Sequence, residues 1–182
     1  MTVQIWEPDR DEDSLHGPTF AAVTFLLLAA VIAQVSVVAR LPLPGGRPDL
    51  VLTLLATAAL VLGPVNGAVL GFVTGLFGDL CSTHVLGESA LVFVLVGYLV
   101  GLIADATERS ALVALAAVSG AVAAGTVADV AVAVLLGADG LASPGQTVVR
   151  ALIAGLYATL FAPFLFPALS AVARRTRRVR RR

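Results

Sequence analysis

The chain has 182 residues, of which 58% are hydrophobic and 13% are charged, whereas an average soluble domain is about 45–50% apolar and about 25% charged. This composition excludes an ordinary soluble domain and indicates an integral membrane protein. The formal net charge of zero hides an uneven distribution, because five of the twelve acids lie in the first thirteen residues and seven of the twelve basic residues in the last nine.

Six apolar segments follow one another along the chain. A helix needs about 20 residues, with a lower limit of about 17, to cross a hydrocarbon core of about 30 Å. We therefore predict an all-α, polytopic membrane protein with about six transmembrane helices, the second of which is short. The helical domain at 20–173 lies between an acidic segment without fixed structure at 1–19 and a basic tail at 174–182. The predicted helices are at 20–39, 49–62, 64–80, 86–104, 111–136 and 148–173.

The apolar stretch at 49–80 can be interpreted in two ways. The sequence GPVNG at 63–67 contains residues that favour a turn, and one helix of about 32 residues would need extreme tilt to fit the bilayer. We therefore favour two helices. A five-span alternative, with one kinked helix at 49–80, satisfies the positive-inside rule better because it moves Arg40 and Arg47 to the cytoplasmic side. In both cases the arginine tail predicts a cytoplasmic C-terminus.

Small residues recur at four-residue spacing before three aspartates, a pattern that lets transmembrane helices approach closely. We expect these residues to form helix contacts and the acids to point towards neighbouring helices, although a chain rich in Ala and Gly also produces such stripes by simple close packing. Asp79 is expected near the membrane surface, where ionisation costs little, whereas Asp129 lies deeper and needs a partner. The three series are Gly63, Gly67, Gly71, Gly75 and Asp79; Gly97, Gly101 and Asp105; and Ala121, Gly125 and Asp129.

Metal-binding atom types also cluster at 79–88, in Asp79, Cys81, His84 and Glu88. Their spacing matches no regular ligand set, and Gly87 interrupts any helix that would bring His84 and Glu88 together. We interpret this stretch as a shaped turn, with Glu88 complementing the dipole of the following helix. The sequence also lacks a nucleophile elbow or phosphate loop. We therefore expect no catalytic residue, cofactor or metal ion, and no enzyme activity.

Residues 47–103 carry a set of motifs whose order and spacing resemble one known family. The motifs are PDL at 48–50, GPxxGAxxGFxxGLxxDL at 63–80, an LGxSAL-like sequence at 86–91 with Glu88 in the variable place, and GYLVG at 97–101. Together they resemble the MreD family of rod shape-determining proteins, which belongs to the bacterial cell-elongation machinery.

The resemblance implies a non-enzymatic scaffold in the bacterial plasma membrane that regulates cell shape and lateral peptidoglycan synthesis. Its implied partners are MreC, the actin-like MreB, RodA and the transpeptidase partner of RodA, with anionic lipid at the arginine tail and no nucleic acid or small-molecule substrate. On this interpretation Asp79, Gly87, Gly97, Tyr98 and Gly101 are fold or partner-contact residues.

The family is also similar in fold to the substrate-binding membrane subunits of energy-coupling-factor vitamin transporters, so a solute-binding transporter subunit is the alternative function. Such a subunit would need a polar, aromatic-lined pocket. The chain has one Trp and two Tyr, and Trp6 lies outside the predicted helices. The scarcity of ligand-contacting side chains favours the scaffold.

Overall fold

The computed structural model describes residues 10–36, 49–82, 85–104, 110–137 and 143–179. These residues form six helices and no strand, which confirms the prediction of an all-helical fold with six helices. The second helix is short, as expected, at 13 residues. The helices are α1 (Arg10–Ser36), α2 (Leu50–Leu62), α3 (Pro64–Leu80), α4 (Glu88–Leu102), α5 (Ala111–Leu135) and α6 (Pro144–Val179).

The break between α2 and α3 lies at Gly63, whose φ of 83° is in the left-handed region that favours glycine. Pro64 then begins α3, at a position where the missing N–H of proline costs no helical hydrogen bond. Residues 49–80 are therefore two helices, and the alternative of one kinked helix is wrong.

Two helices extend beyond their predicted ends. α1 begins at Arg10, so the boundary expected at residue 20 falls inside the helix, whose first residues are the charged sequence RDED. Acidic residues are favourable in a first helical turn. α6 continues to Val179 and so includes the first residues of the basic tail. Arginine is a good helix former, so the helix continues after the apolar pattern has ended.

Among the described residues, three helical segments are long and apolar enough to cross a membrane: Thr19–Ser36, Ala111–Leu135 and Pro144–Pro167. The inner helices are shorter, with 13 residues in α2, 17 in α3 and 15 in α4. α2 is the centre of the fold, because it contacts each of the other five helices and is buried at every position from Val51 to Leu60. A helix that is apolar on all sides is expected in such a place.

The helix contacts define two ends of the bundle, because α3 runs antiparallel to α4 and α5 runs antiparallel to α6. At the end that we call the aspartate end, the N–H of Leu50 donates to Gln34 Oε1 at 3.3 Å, which joins the end of α1 to the start of α2. Asp79 joins the end of α3 to the start of α4 at the same level. At the opposite end, which we call the arginine end, Gly101 near the end of α4 meets Pro64 at the α2–α3 turn. The start of α5 and the C-terminal half of α6 line one groove on this side, together with Thr57 of α2.

Candidate functional site

Asp79 is a buried carboxylate at the C-terminal end of α3 that accepts hydrogen bonds from the start of α4. Its side chain is 2% exposed. Oδ2 accepts from the N–H of Gly87 at 2.8 Å, and Oδ1 accepts from the N–H of Ser89 at 3.1 Å. The N–H of Ala90 is 3.4 Å from Oδ2. The first turn of a helix leaves such N–H groups without intrahelical acceptors, so Asp79 caps α4 from a neighbouring helix.

The local sequence of α4 explains why the cap comes from elsewhere. The N-cap position is Gly87, which has no side chain to accept a hydrogen bond and has a left-handed φ of 97°. The positive end of the α4 dipole favours a negative charge at this place, and Glu88 adds a second acid in the first turn. Asp79 lies at a helix end, as the sequence indicated, and is buried there. Its hydrogen bonds and the dipole of α4 offset the cost of that burial.

The glycines of α3 bring its backbone into direct contact with that of α4. A Cβ atom on Gly67 would lie 2.5 Å from the carbonyl oxygen of Gly97, and a Cβ on Gly75 would lie 2.5 Å from Ala90 Cα. Real Cβ atoms essentially never approach closer than 3.0 Å, so any side chain here would push the helices apart. The contacts pair Gly67 with Gly97, Gly71 with Phe93, Gly75 with Ala90 and Gly101 with Pro64.

Not every glycine at this spacing has the same role. Gly63 continues the four-residue series, but a Cβ placed on it would meet no atom within 4 Å; it makes the turn between α2 and α3. Gly78 is also open. Gly125 on α5 does pack closely, since its Cβ would lie 2.5 Å from Leu52 Cδ2 of the central helix.

Tyr98 and Asp129 lie in different surroundings from the glycines. Tyr98 is 44% exposed on the outer side of α4. Asp129 is one turn after Gly125 and half-buried, and its Oδ1 is buried without a hydrogen-bond partner among the described residues. It lies in the field of the carboxylates of Asp49, Glu88 and Asp79. The structure thus brings together the α3 and α4 residues of the predicted set and leaves Tyr98 and Asp129 outside that contact.

The sequence interpretation missed a polar contact between α5 and α6. The hydroxyl groups of Ser119 and Thr159 are 2.6 Å apart, and Gly155 packs against the backbone of Ser119, with a Cβ-to-oxygen distance of 3.1 Å. Gly155 and Thr159 are small residues four apart, so the spacing used for α3 would have identified them. This contact joins α5 to α6.

A groove of about 800 Å³ lies between α2, α5 and α6. Its walls are mostly apolar. Among the described lining residues Thr57 alone has a hydroxyl group, which donates to the carbonyl oxygen of Thr53 at 2.7 Å. The lining residues are Thr57, Ala111, Leu112, Ala114, Leu115, Val118, Ala162, Pro163, Phe166 and Pro167.

In the cluster at 79–88, Asp79 caps the start of α4. The oxygens of Asp79 face backbone N–H groups, Cys81 is exposed, and His84 and Asp105 lie outside the described residues. In the described part of the chain, His, Cys, Asp and Glu form no group of three that could hold a metal ion. What the arrangement provides is a fixed joint between two helices.

Comparison with family models gave a match to "rod shape-determining protein MreD" over residues 15–172. Searches of curated proteins and of solved structures gave no match. The matched range is nearly the whole chain and extends the resemblance seen at 47–103 to all six helices. The chain therefore belongs to the MreD family of rod shape-determining proteins.

Proposed function

We propose that this chain is a non-enzymatic membrane scaffold of the cell-elongation complex, through which it regulates cell shape and lateral peptidoglycan synthesis. Membership of the MreD family supports a role in rod shape. MreC is its direct partner, and MreB, RodA and the transpeptidase partner of RodA belong to the same assembly. All six helices lie in the plasma membrane, and the C-terminus is cytoplasmic, where the arginine tail meets anionic lipid.

The observation that carries the proposal is the closed α3–α4 hairpin. Asp79 and the glycines make their contacts inside the hairpin. The residues that face outwards are almost all apolar and can contact another protein. We call this surface the hairpin face. Its exposed residues are Val65, Val69 and Phe72 on α3 and Leu91, Leu95, Tyr98 and Leu102 on α4.

Helix length supports a partner on the hairpin face. At 1.5 Å per residue, the 17 residues of α3 and the 15 residues of α4 measure about 26 Å and about 22 Å, against about 30 Å of hydrocarbon. A span that is too short is accommodated by local thinning of the bilayer or by association with other helices. A partner on this face removes the short helices from contact with lipid.

The chemistry of the groove favours a scaffold over the transporter subunit. A solute site requires a few convergent polar groups in a pocket. The Thr57 hydroxyl, the one such group in the described lining of the groove, already donates to the α2 backbone. The buried carboxylate of Asp79 accepts from the start of α4. Neither group is offered to a solute.

The test is co-purification of MreC from membranes that express both proteins. The double variant Leu95→Ala/Tyr98→Ala removes two exposed side chains from the hairpin face. The matched control, Leu152→Ala/Leu156→Ala, removes two exposed leucines, 66% and 69% exposed, from α6. Truncation of the few hot-spot residues near the centre of an interface costs about 2 kcal/mol or more. If Leu95 and Tyr98 include such a residue, MreC recovery falls by about tenfold or more for the hairpin variant only.

Two outcomes would contradict the scaffold. One is full recovery of MreC with the hairpin variant when both proteins elute as monodisperse particles. The other is saturable binding of a small solute by the purified chain without any partner, which would favour the transporter subunit.

A further inference from the structure

We propose that the groove between α2, α5 and α6 holds an acyl chain of one anionic phospholipid, whose headgroup lies against the arginines at the end of α6. This rests on the membrane location and the lipid contact proposed above. It replaces a diffuse attraction between the tail and the bilayer surface with one bound lipid molecule.

The groove has the size and chemistry of an acyl-chain site. Its volume of about 800 Å³ is within the range of about 300–1,000 Å³ that is usual for ligand pockets. Its lining is mostly apolar, which suits an apolar ligand. Pro163 and Pro167 line one wall, and since proline has no N–H, neither residue offers a backbone donor to a polar ligand.

The groove lies towards the arginine end of the bundle. α5 contributes residues from its first two turns, beginning at Ala111, and α6 contributes residues up to Pro167. The helix α6 then continues as an unbroken backbone to Val179. The chain itself therefore leads from the apolar groove to the basic sequence RRTRR at 174–178.

The helical repeat aligns two of these arginine positions with the groove. With 3.6 residues per turn, positions 174 and 178 fall within about 20° of Pro167 around the helix axis. Their rise above Pro167 is about 10 Å and about 16 Å. An acyl chain beside Pro167 therefore has basic positions above it on the same helix face, at the level of a phosphate group.

The positive charge at the end of α6 favours a lipid over a protein as the occupant of the groove. A hydrophobic helix of a partner would fill the apolar groove, but it would bring no group that complements seven arginines in the last nine residues. An anionic phospholipid supplies both the apolar chain and the negative charge in one molecule. Each basic residue beside a membrane raises the affinity for such lipids by about fivefold.

The experiment measures lipid retained by the full-length purified chain. Protein in detergent is equilibrated with equimolar phosphatidylglycerol and phosphatidylcholine, and the bound molecules are counted by native mass spectrometry. We expect one retained lipid per chain with phosphatidylglycerol preferred. Ala111→Phe places a ring in the groove and should reduce retention of both lipids by about tenfold or more. Ala116→Phe is the matched control, because Ala116 is exposed on α5 outside the groove.

The headgroup is tested separately. Arg174→Gln/Arg178→Gln should reduce the preference for phosphatidylglycerol by up to about 30-fold while retention of a lipid persists. Arg150→Gln, which changes an exposed arginine at the other end of α6, should leave the preference unchanged. All variants are checked for monodisperse elution.

Equal retention by the Ala111→Phe and Ala116→Phe variants would overturn the acyl-chain site. An unchanged preference after loss of Arg174 and Arg178 would overturn the headgroup assignment. If Ala111→Phe instead removes MreC without changing lipid retention, a partner helix occupies the groove and the lipid site is refuted, whereas the proposed scaffold stands.

Discussion

Replacing Asp79 with alanine removes the cap of α4 and is expected to be among the most damaging changes to the hairpin. Two of its three hydrogen bonds are short, at 2.8 Å and 3.1 Å, and a hydrogen bond to a charged group contributes about 1.5–3 kcal/mol net. The expected loss is therefore about 3–6 kcal/mol, with little from the longer contact at 3.4 Å. Asp79→Asn retains one acceptor oxygen and should lose about half as much.

The assay is thermal unfolding in detergent, followed by size-exclusion chromatography of heated samples. At about 2–4 °C per kcal/mol for a chain of this length, Asp79→Ala should lower the midpoint by about 6–24 °C. The control is Glu88→Gln, which removes an acid from the first turn of α4, where the dipole interaction is worth only about 0.3–1 kcal/mol. A midpoint for Asp79→Ala within about 2 °C of the unsubstituted chain would refute the capping role.

Two further substitutions test the helix contacts by the same assay. Gly71→Ala should destabilise the chain by about 1–3 kcal/mol or more, as overpacking does, because its Cβ would overlap the backbone of Phe93. The matched control Gly78→Ala adds a Cβ in open space and should be neutral or stabilising by up to about 1 kcal/mol. Equal effects of the two substitutions would contradict the close contact. Asp129→Leu should raise the unfolding midpoint, because it removes a carboxylate whose Oδ1 has no hydrogen-bond partner among the described residues; a lower midpoint would mean that this carboxylate is satisfied in the folded chain.

The helices were predictable because their signals are local. GPVNG at 63–67 marked the break that the structure has at Gly63, and the predicted limits of α2 and α3 agree with the observed ones to within one residue. The outer ends of α1 and α6 were not predictable from hydropathy, because polar residues such as Arg and Glu continue a helix as readily as Leu does.

The cap on α4 could not be predicted from the same signals. Asp79 and Gly87 are eight residues apart, a separation that has no fixed geometry unless the intervening turn is known. Four-residue glycine spacing indicated which face of α3 carries small residues. Gly63 has the same spacing, but a Cβ placed on it would contact no atom. The pairing of Gly67 with Gly97 depends on how two helices are placed, and that is a tertiary property.

The close backbone contact and the short helices have one mechanical consequence. Because Gly67 and Gly97 meet backbone to backbone and Asp79 fixes the start of α4, α3 and α4 cannot slide past each other to increase their combined apolar length. A looser pair could adjust to a thicker bilayer by such movement, whereas this hairpin keeps a hydrophobic length of about 22–26 Å. If the hairpin lies in the membrane as proposed, the cost of its mismatch with the surrounding lipid persists until a partner covers the hairpin face. In the proposed scaffold, the residues that make the hairpin rigid thus also favour its association with a second membrane protein.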